Sequence, residues 1–494
     1  MLSSTPAPKG KVLTYESINP RIREVQYAVR GELAIKAEEL KLRLDKGDRT
    51  LAFDRIVNCN IGNPQQLQQK PITFFRQVAA LTEYPDLLSE EQLPITQQLF
   101  PADAVARARE ILASAGGAIG AYSHSQGIRS IREHVADFIA ARDGSPASAD
   151  DIYLTAGASA GVQQLMQLII SGPEVGVMIP IPQYPLYTAT LALYQAHPVP
   201  YYLDEAHAWG MNVQDLEASL HTARGRGVDV RALVIINPGN PTGQCLSESN
   251  MREVVEFCHR ERLVLLADEV YQTNFYEPDT RPFHSFKKIL RSCPAPVRDE
   301  VELVSFHSIS KGMVGECGRR GGYFECTNID PEVMKQVYKM ASVNLCPNVQ
   351  GQILVDLMVK PPQPSDPSYP QYRTEVDGIF ASLRRRSRRL HQAFNEMEGC
   401  SCNPAEGAMY LFPSIQLPPK ALAAAEEAGK NPDDFYCLRM LDATGVCVIP
   451  GSGFGQKEGT YHFRSTFLPP EALFDTFIAD LKKFHQEFMD KYRS

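Results

Sequence analysis

A lysine set among serines and followed by two arginines is the first group with an obvious chemistry. In SFHSISKGMVGECGRRGG (305–322), Ser308 and Ser310 lie three and one residues before Lys311, and Arg319 and Arg320 lie eight and nine after it. A lysine that forms a Schiff base must be neutral part of the time, so its site has to lower its proton affinity. Nearby guanidinium groups do that, and they also hold a phosphate. The plain alternative is a solvated lysine in a common S-x-S-K context. In LLADEVYQ (265–272), Asp268 ends an apolar run and Tyr271 follows three residues later. A buried carboxylate needs a partner. A pyridinium nitrogen is one, because an ionised aspartate keeps that nitrogen protonated and makes the ring a stronger electron sink. Tyr271 would then donate to a phenolic oxygen on the same ring. A magnesium ligand or a helix N-cap are the other readings of the aspartate, and neither accounts for the tyrosine.

Three further stretches offer anion or ring contacts. INPGNPTGQ (236–244) follows the apolar run ALVII, and its prolines and glycines force a tight turn at the carboxyl end of a strand. Ligands bind there in open α/β sheets, and Asn240 would reach the phenolic oxygen from a second side. LTAGASAG (154–161) closes a strand and opens a helix, so that Ala158 and Ser159 present backbone amides to an anion. Simple helix capping explains the same residues. HFRSTFLP (462–469) carries Arg464 inside an apolar run, where it must be paired or bind an anion such as a bidentate carboxylate. A structural salt bridge remains the alternative.

These groups need a scaffold, and the chain around them alternates two patterns. Short apolar runs at 152–155, 174–182, 232–236, 263–270 and 302–308 are separated by helical stretches, among them 157–170, one reaching about Ala196, and one starting near Ser247. Near-continuous apolar strands alternating with helices predict an α/β domain with a mostly parallel sheet covered on both faces. PPQPSDPSYPQY (361–372) reads as a surface connection. Beyond it, Ile379, Leu383, Leu390, Phe394 and Met397 share one helical face, and five arginines between 384 and 389 lie on the same helix as a solvated face. The rest mixes short strands with a final helix, as in a smaller α+β domain, and KALAAAEEAGK (420–430) reads as a surface helix. A length of 494 residues requires more than one domain.

Composition narrows the classes. Net charge is -8 at pH 7, which argues against a general nucleic-acid binder. The 11 cysteines have no repeating spacing, and Cys400 and Cys402 form a lone C-x-C, so reduced thiols are expected rather than a zinc site or a disulfide framework. There is no H-E-x-x-H, and no metal is expected. PGSGFGQ (450–456) lacks the G-K-[ST] ending of a P-loop and the spacing of a dinucleotide fingerprint. No apolar run is long enough to span a bilayer, and MLSSTPAPKGKVLTYESINP has neither an apolar signal core nor an arginine stripe. A cytoplasmic location is expected, with the mitochondrial matrix open if a presequence has been removed.

The five motifs, in this order, resemble the class I and II aminotransferases of pyridoxal-phosphate fold type I. The likeness extends along YAVRGELAIKAEEL (27–40), NIGNPQQLQQKPITFFRQV (60–78), GAYSHSQGIRSIREHVADFI (120–139), PIPQYPLYTATLALY (180–194) and MYLFPSI (409–415), which are similar to the alanine aminotransferase family of the fungal type. The resemblance implies a large domain with a mostly parallel seven-stranded sheet between helices, plus a smaller α+β domain. The expected division is an N-terminal arm and part of the small domain in 1–110, a large cofactor domain in 111–360 and the remaining small domain in 361–494. It implies pyridoxal 5'-phosphate as cofactor, with Lys311 joined to it and shuttling a proton, and Asp268 paired with the ring nitrogen. Asn240 and Tyr271 would contact the ring oxygen, Tyr184 would stack on the ring, and Ala158, Ser159, Ser308 and Arg320 would hold the phosphate. Tyr122 would reach the phosphate of a partner subunit across a homodimer interface. Arg464, Asn240 and Gly62 would bind the substrate. The implied reaction is ping-pong transamination between L-alanine and 2-oxoglutarate, giving pyruvate and L-glutamate. The rivals are an aminotransferase with another amino-acid preference, a C–S lyase, and a catalytically silent cofactor-binding regulator. Ala156, Met313, Ser465 and Asn63 depart from the widespread family pattern, and none replaces a covalent or charged group.

Overall fold

The computed structural model describes residues 13–25, 31–278 and 280–493. The opening residues read for targeting signals therefore lie partly outside the described residues, as does the start of the 27–40 stretch.

Seven strands make the central sheet: β1 (Ile152–Thr155), β2 (Val175–Ile181), β3 (His197–Tyr202), β4 (Asp229–Ile236), β5 (Val264–Asp268), β6 (Leu303–Ser308) and β7 (Gly322–Thr327), in the order β1-β7-β6-β5-β4-β2-β3. All pairings are parallel except those of β7, which runs antiparallel to both β1 and β6. The carboxyl ends of β1, β2, β4, β5 and β6 thus share one edge, and β7 begins at that edge.

Alternation along the strands sends successive side chains to opposite faces. Val177, Ile179, Ala232, Val234 and Ile236 pack with Val162, Leu165, Leu186 and Tyr187 from the helices Ala158–Ile169 and Leu186–Tyr194. Met178, Leu233, Ile235 and Leu265 pack on the other face with Leu216, Leu220, Met251 and Val254 from the helices Val213–Gly225 and Glu248–Glu261. The last of these starts where expected, with the Ser247 hydroxyl accepting from the Asn250 amide as its N-cap. The five strands foreseen from apolar runs are all present. Two were not foreseen. In β3, HPVPYY carries two prolines and alternates in burial, as suits the edge position it holds. In β7, GYFECT is short and interrupted by a buried glutamate.

A separate core is built from both ends of the chain. Leu33, Ala37, Leu40 and Cys59 pack with residues from Leu383 to Met489. Val57–Asn58 pairs in parallel with Val446–Cys447, while Tyr410–Leu411, Phe463–Thr466 and Ile449–Pro450 form a small antiparallel sheet. The segment between, from Ile72 to Ile111, packs instead with Ile128, Ile131, Ile152 and Ile353.

Two readings of the sequence need correction here. The proline-rich connection ends early, because Tyr369 and Pro370 already belong to the helix Tyr369–Asn395, in whose first turn proline is tolerated. The arginines of that helix are not merely solvated. Arg384 and Arg388 pair with Glu277, Arg385 with Glu471 and Arg389 with Asp475, while buried Arg386 donates to the carbonyls of Leu468 and Pro469.

Candidate active site

A cavity of about 520 Å³ opens at the shared edge of the sheet. Its lining includes Gly62, Ala158, Ser159, Tyr184, Asn240, Asp268, Tyr271, Ser308, Lys311, Arg320 and Arg464, so five separated motifs converge on it. Tyr122 does not line it, and at 77 % exposure that side chain sits on the surface of this chain.

Asp268 is the last residue of β5 and is buried. Its Oδ2 accepts from the Tyr187 hydroxyl at 2.8 Å, and Oδ1 has no hydrogen-bond partner among the described residues. Burial pushes its carboxyl above the usual carboxylate range. The Tyr187 bond and the positive charge of Lys311 act the other way without cancelling it. A buried acid with one open oxygen in a cavity wall is a site for a cation or a protonated nitrogen.

Lys311 lies three residues past the end of β6, and its Nζ donates to the Gly62 carbonyl at 3.2 Å. Tyr271 stands beside it, with the amine 5.9 Å from the ring centroid. The Tyr271 hydroxyl is 2.9 Å from that of Tyr410, and the Asn240 amide lies 3.5 Å from it.

At one end of the cavity, the helix Ala158–Ile169 starts at Gly157 with no side-chain cap and no acid in its first turn, which leaves its amides open to an anion. Gly157 has φ of 89°, and a Cβ there would run into the Arg320 guanidinium, which is held by the Cys317 carbonyl at 2.9 Å. The cation is thereby packed against the helix start. At the other end, Arg464 is buried in the strand Phe463–Thr466. Its Nη1 donates to Asn240 Oδ1 at 2.9 Å and its Nη2 to the Asn60 carbonyl. The rings of Tyr410 and Phe454 lie 4.3 and 4.7 Å from its Cζ.

Tyr187 and Tyr410 contribute to this site and were not singled out from the sequence, although both stood in stretches that carry the family likeness. Tyr187 lies in a helix of nearly uniform apolarity, and no spacing tells its hydroxyl from the surrounding core. Tyr410 belongs to a strand of two residues, too short to show which face is inward.

The family model of the class I and II aminotransferases matches residues 87–479. The chain belongs to that family. Among relatives of this aminotransferase, alanine aminotransferase 2 of Panicum miliaceum is 54% identical over 97% of this chain and 98% of its own length. Glutamate–glyoxylate aminotransferase 2 of Arabidopsis thaliana is 52% identical over 98% of both. The structure of an alanine aminotransferase from Pyrococcus furiosus superposes with a TM-score of 0.74 over 95% of this chain and 99% of that one, at 22% identity. That likeness establishes the fold of this aminotransferase as the one expected, α/β with a mostly parallel seven-stranded sheet. Among the described residues, no helix is long and apolar enough to cross a membrane.

Proposed function

We propose that this chain is a pyridoxal-phosphate-dependent alanine aminotransferase, interconverting L-alanine and 2-oxoglutarate with pyruvate and L-glutamate. One observation carries the reading most: Lys311, the open oxygen of Asp268 and Arg464 line the same cavity. An amine, an acid awaiting a protonated nitrogen and a carboxylate-binding cation are the groups that transamination requires.

The residues fit pyridoxal phosphate. Ala158 and Ser159 at the open helix start, Ser308 and Arg320 would hold its phosphate. Asp268 Oδ1 would face its ring nitrogen, Asn240 and Tyr271 its phenolic oxygen, and Tyr184 the ring face. When bound, that cofactor supplies the electron sink that makes the substrate α-hydrogen acidic. A positive nitrogen beside Asp268 would offset the burial that raises its carboxyl. Arg464 would take the substrate carboxylate on a guanidinium already held by two aromatic rings and by hydrogen bonds to Asn240 and Asn60, so that little freedom is lost on binding. Lys311 Nζ would take the proton from the substrate α-carbon and deliver it to the carbon on the far side of the amino nitrogen, acting as base and then acid. Gly62 keeps the space in front of that amine clear, since a Cβ there would lie 3.2 Å from Nζ.

Alanine as donor is supported by the full-length relative from Panicum miliaceum. The relative named for glutamate and glyoxylate favours a second reading, in which glyoxylate is an acceptor. A homodimer is proposed as well. Tyr122 is exposed, and the neighbouring segments, joined by the Ser125 hydroxyl on the Leu345 carbonyl, leave Tyr338, Val343 and Leu345 exposed beside it. An apolar surface of that kind suits a partner that would receive Tyr122 in its own site.

The test is a coupled assay of amino donors against 2-oxoglutarate, pyruvate and glyoxylate. Alanine and glutamate should be the best donors. An aromatic or branched donor exceeding alanine in kcat/KM by more than about tenfold, some 1.4 kcal/mol of transition-state preference, would overturn the alanine assignment. Turnover surviving in Lys311→Ala would overturn the aminotransferase mechanism itself.

A further inference from the structure

We propose that Tyr410 is a positioning residue with two separable tasks: its ring supports the Arg464 guanidinium, and its hydroxyl holds the Lys311 amine in place. The inference deepens the reading above and rests on the roles given there to Lys311 and Arg464.

Register brings the tyrosine to the site. Tyr410 pairs with Thr466 and Leu411 with Ser465 across the small antiparallel sheet, next to the residue that carries the guanidinium. The side chain is 1 % exposed. Its ring lies 4.3 Å from Arg464 Cζ, and the Phe454 ring lies 4.7 Å from the same atom. Rings at that distance attract a guanidinium and restrict its rotation. The two hydrogen bonds to Asn240 and Asn60 fix the guanidinium at its end, and the rings fix its plane.

The hydroxyl does something different. It meets the Tyr271 hydroxyl at 2.9 Å, with the two rings at 85°. A Cβ built on Gly62 would collide with it and would also come within 3.2 Å of Lys311 Nζ, so hydroxyl and amine occupy the same small space. The groups that face it are Lys311, Arg464 and Tyr271. Burial alone would push the Tyr410 phenol up, but the charges of Lys311 and Arg464 and hydrogen bonds from Tyr271 and Lys311 outweigh it and bring the phenol below its ordinary value. Tyr271, buried and facing Tyr410 and Asp268, goes the opposite way, well above its ordinary value. The geometry lets either hydroxyl donate in this pair, and the lowered Tyr410 phenol is the better acceptor of the two. An oxygen that lies against both the lysine and the Tyr271 hydroxyl fixes where the Lys311 amine sits, and the positive charge of Lys311 acts back on that phenol.

Phenylalanine at 410 keeps the ring and removes the hydroxyl, and leucine removes both. In full-length protein stripped of cofactor, the ultraviolet phenolate absorbance of wild type should show one tyrosine ionising before the rest. That phase should vanish in Tyr410→Phe and move upward in Lys311→Met. With cofactor restored, Tyr410→Phe should lower kcat about tenfold, as expected for one lost hydrogen bond to a charged group, and leave KM for the amino acid within about twofold. Tyr410→Leu should raise that KM by about tenfold as well, the value of one stacked cation. An unchanged phenolate titration in Tyr410→Phe, or equal increases in KM in the two variants, would overturn the proposal. Because the titration needs neither substrate nor cofactor, it can fail while transamination by Lys311 stands, and the Lys311→Ala assay can fail while the titration stands.

Discussion

Asp268 and Glu269 are adjacent in the chain, both buried, and both held above the ordinary carboxylate range chiefly by burial. Their surroundings differ completely. Asp268 looks into the cavity with one oxygen taken by Tyr187 and the other open. Glu269 turns into a closed interior, where its Oε1 accepts the Phe286 amide at 2.7 Å and its Oε2 has no hydrogen-bond partner among the described residues. Around it, Arg142 pairs with Asp143 and donates to Gln272 at 2.7 Å, and Ser285 donates to Asp143. Buried His307 lies in the same interior, held down to about 3 by burial and by Arg142. The two acids share a type and a degree of burial, and only the open space in front of Asp268 separates a candidate catalytic group from a structural one. An acid facing a cavity can be repaired by a ligand. An acid facing packed protein can only stay protonated.

Changing Asp268 should have the largest effect. Asp268→Ala should retain cofactor through the phosphate groups yet lose about a hundredfold or more in single-turnover proton abstraction. A rate within a few-fold of wild type would erase the contrast between the two acids. Glu269 should show itself in stability instead. Its carboxyl is raised from 4.5 to about 8 in the folded chain. Both states are protonated below about 4.5. Between there and about 8 the unfolded chain ionises first, so folding stability falls as pH rises through that window. Glu269→Gln keeps the bond to Phe286 and cannot ionise. Its unfolding free energy should gain on wild type from pH 5 to pH 8 by about 3 to 4 kcal/mol, with kcat nearly unchanged. A difference that does not vary with pH would remove the ionisable acid from the interior. The smallest change is Gly62→Ala. A methyl there would meet the Tyr410 hydroxyl, Lys311 Nζ and Met409. It should lower kcat about tenfold by displacing the amine while the melting temperature moves little. Unchanged turnover would mean that the space before Lys311 is looser than the contrast requires.

The sheet and the cavity edge were legible because each strand foreseen is a run of apolar residues ending in a chemically marked turn, as with ALVII before INPGNPTGQ. Strand β3 was not legible, since two prolines and alternating exposure hide an edge strand. Lys311, Asp268, Tyr271, Asn240 and Ser159 could be named because each stands at or just past a strand's end or at a helix start, and Arg464 because it interrupts an apolar run. Tyr187 and Tyr410 interrupt nothing. Their hydroxyls matter only through what lies opposite them in space, Asp268 in one case and Tyr271 in the other. The arginines of the Tyr369–Asn395 helix misled for the same reason: Glu277, Glu471 and Asp475 are 86 or more residues away along the chain.

The core that joins residues 33–59 to residues beyond 383 also sets an order of assembly. Chains emerge from the ribosome N-terminal end first. When β7 has left the ribosome, every strand of the central sheet is available, and with it the open helix start, Asp268, Lys311 and Arg320. Asn60 and Gly62 were made long before, but Arg464 is still to come, and Val57–Asn58 must await its partner Val446–Cys447. The residues that would hold the phosphate and the ring nitrogen of a cofactor are therefore made well before Arg464, which would grip a substrate carboxylate, while Tyr271 waits for Tyr410 and the core beyond residue 383.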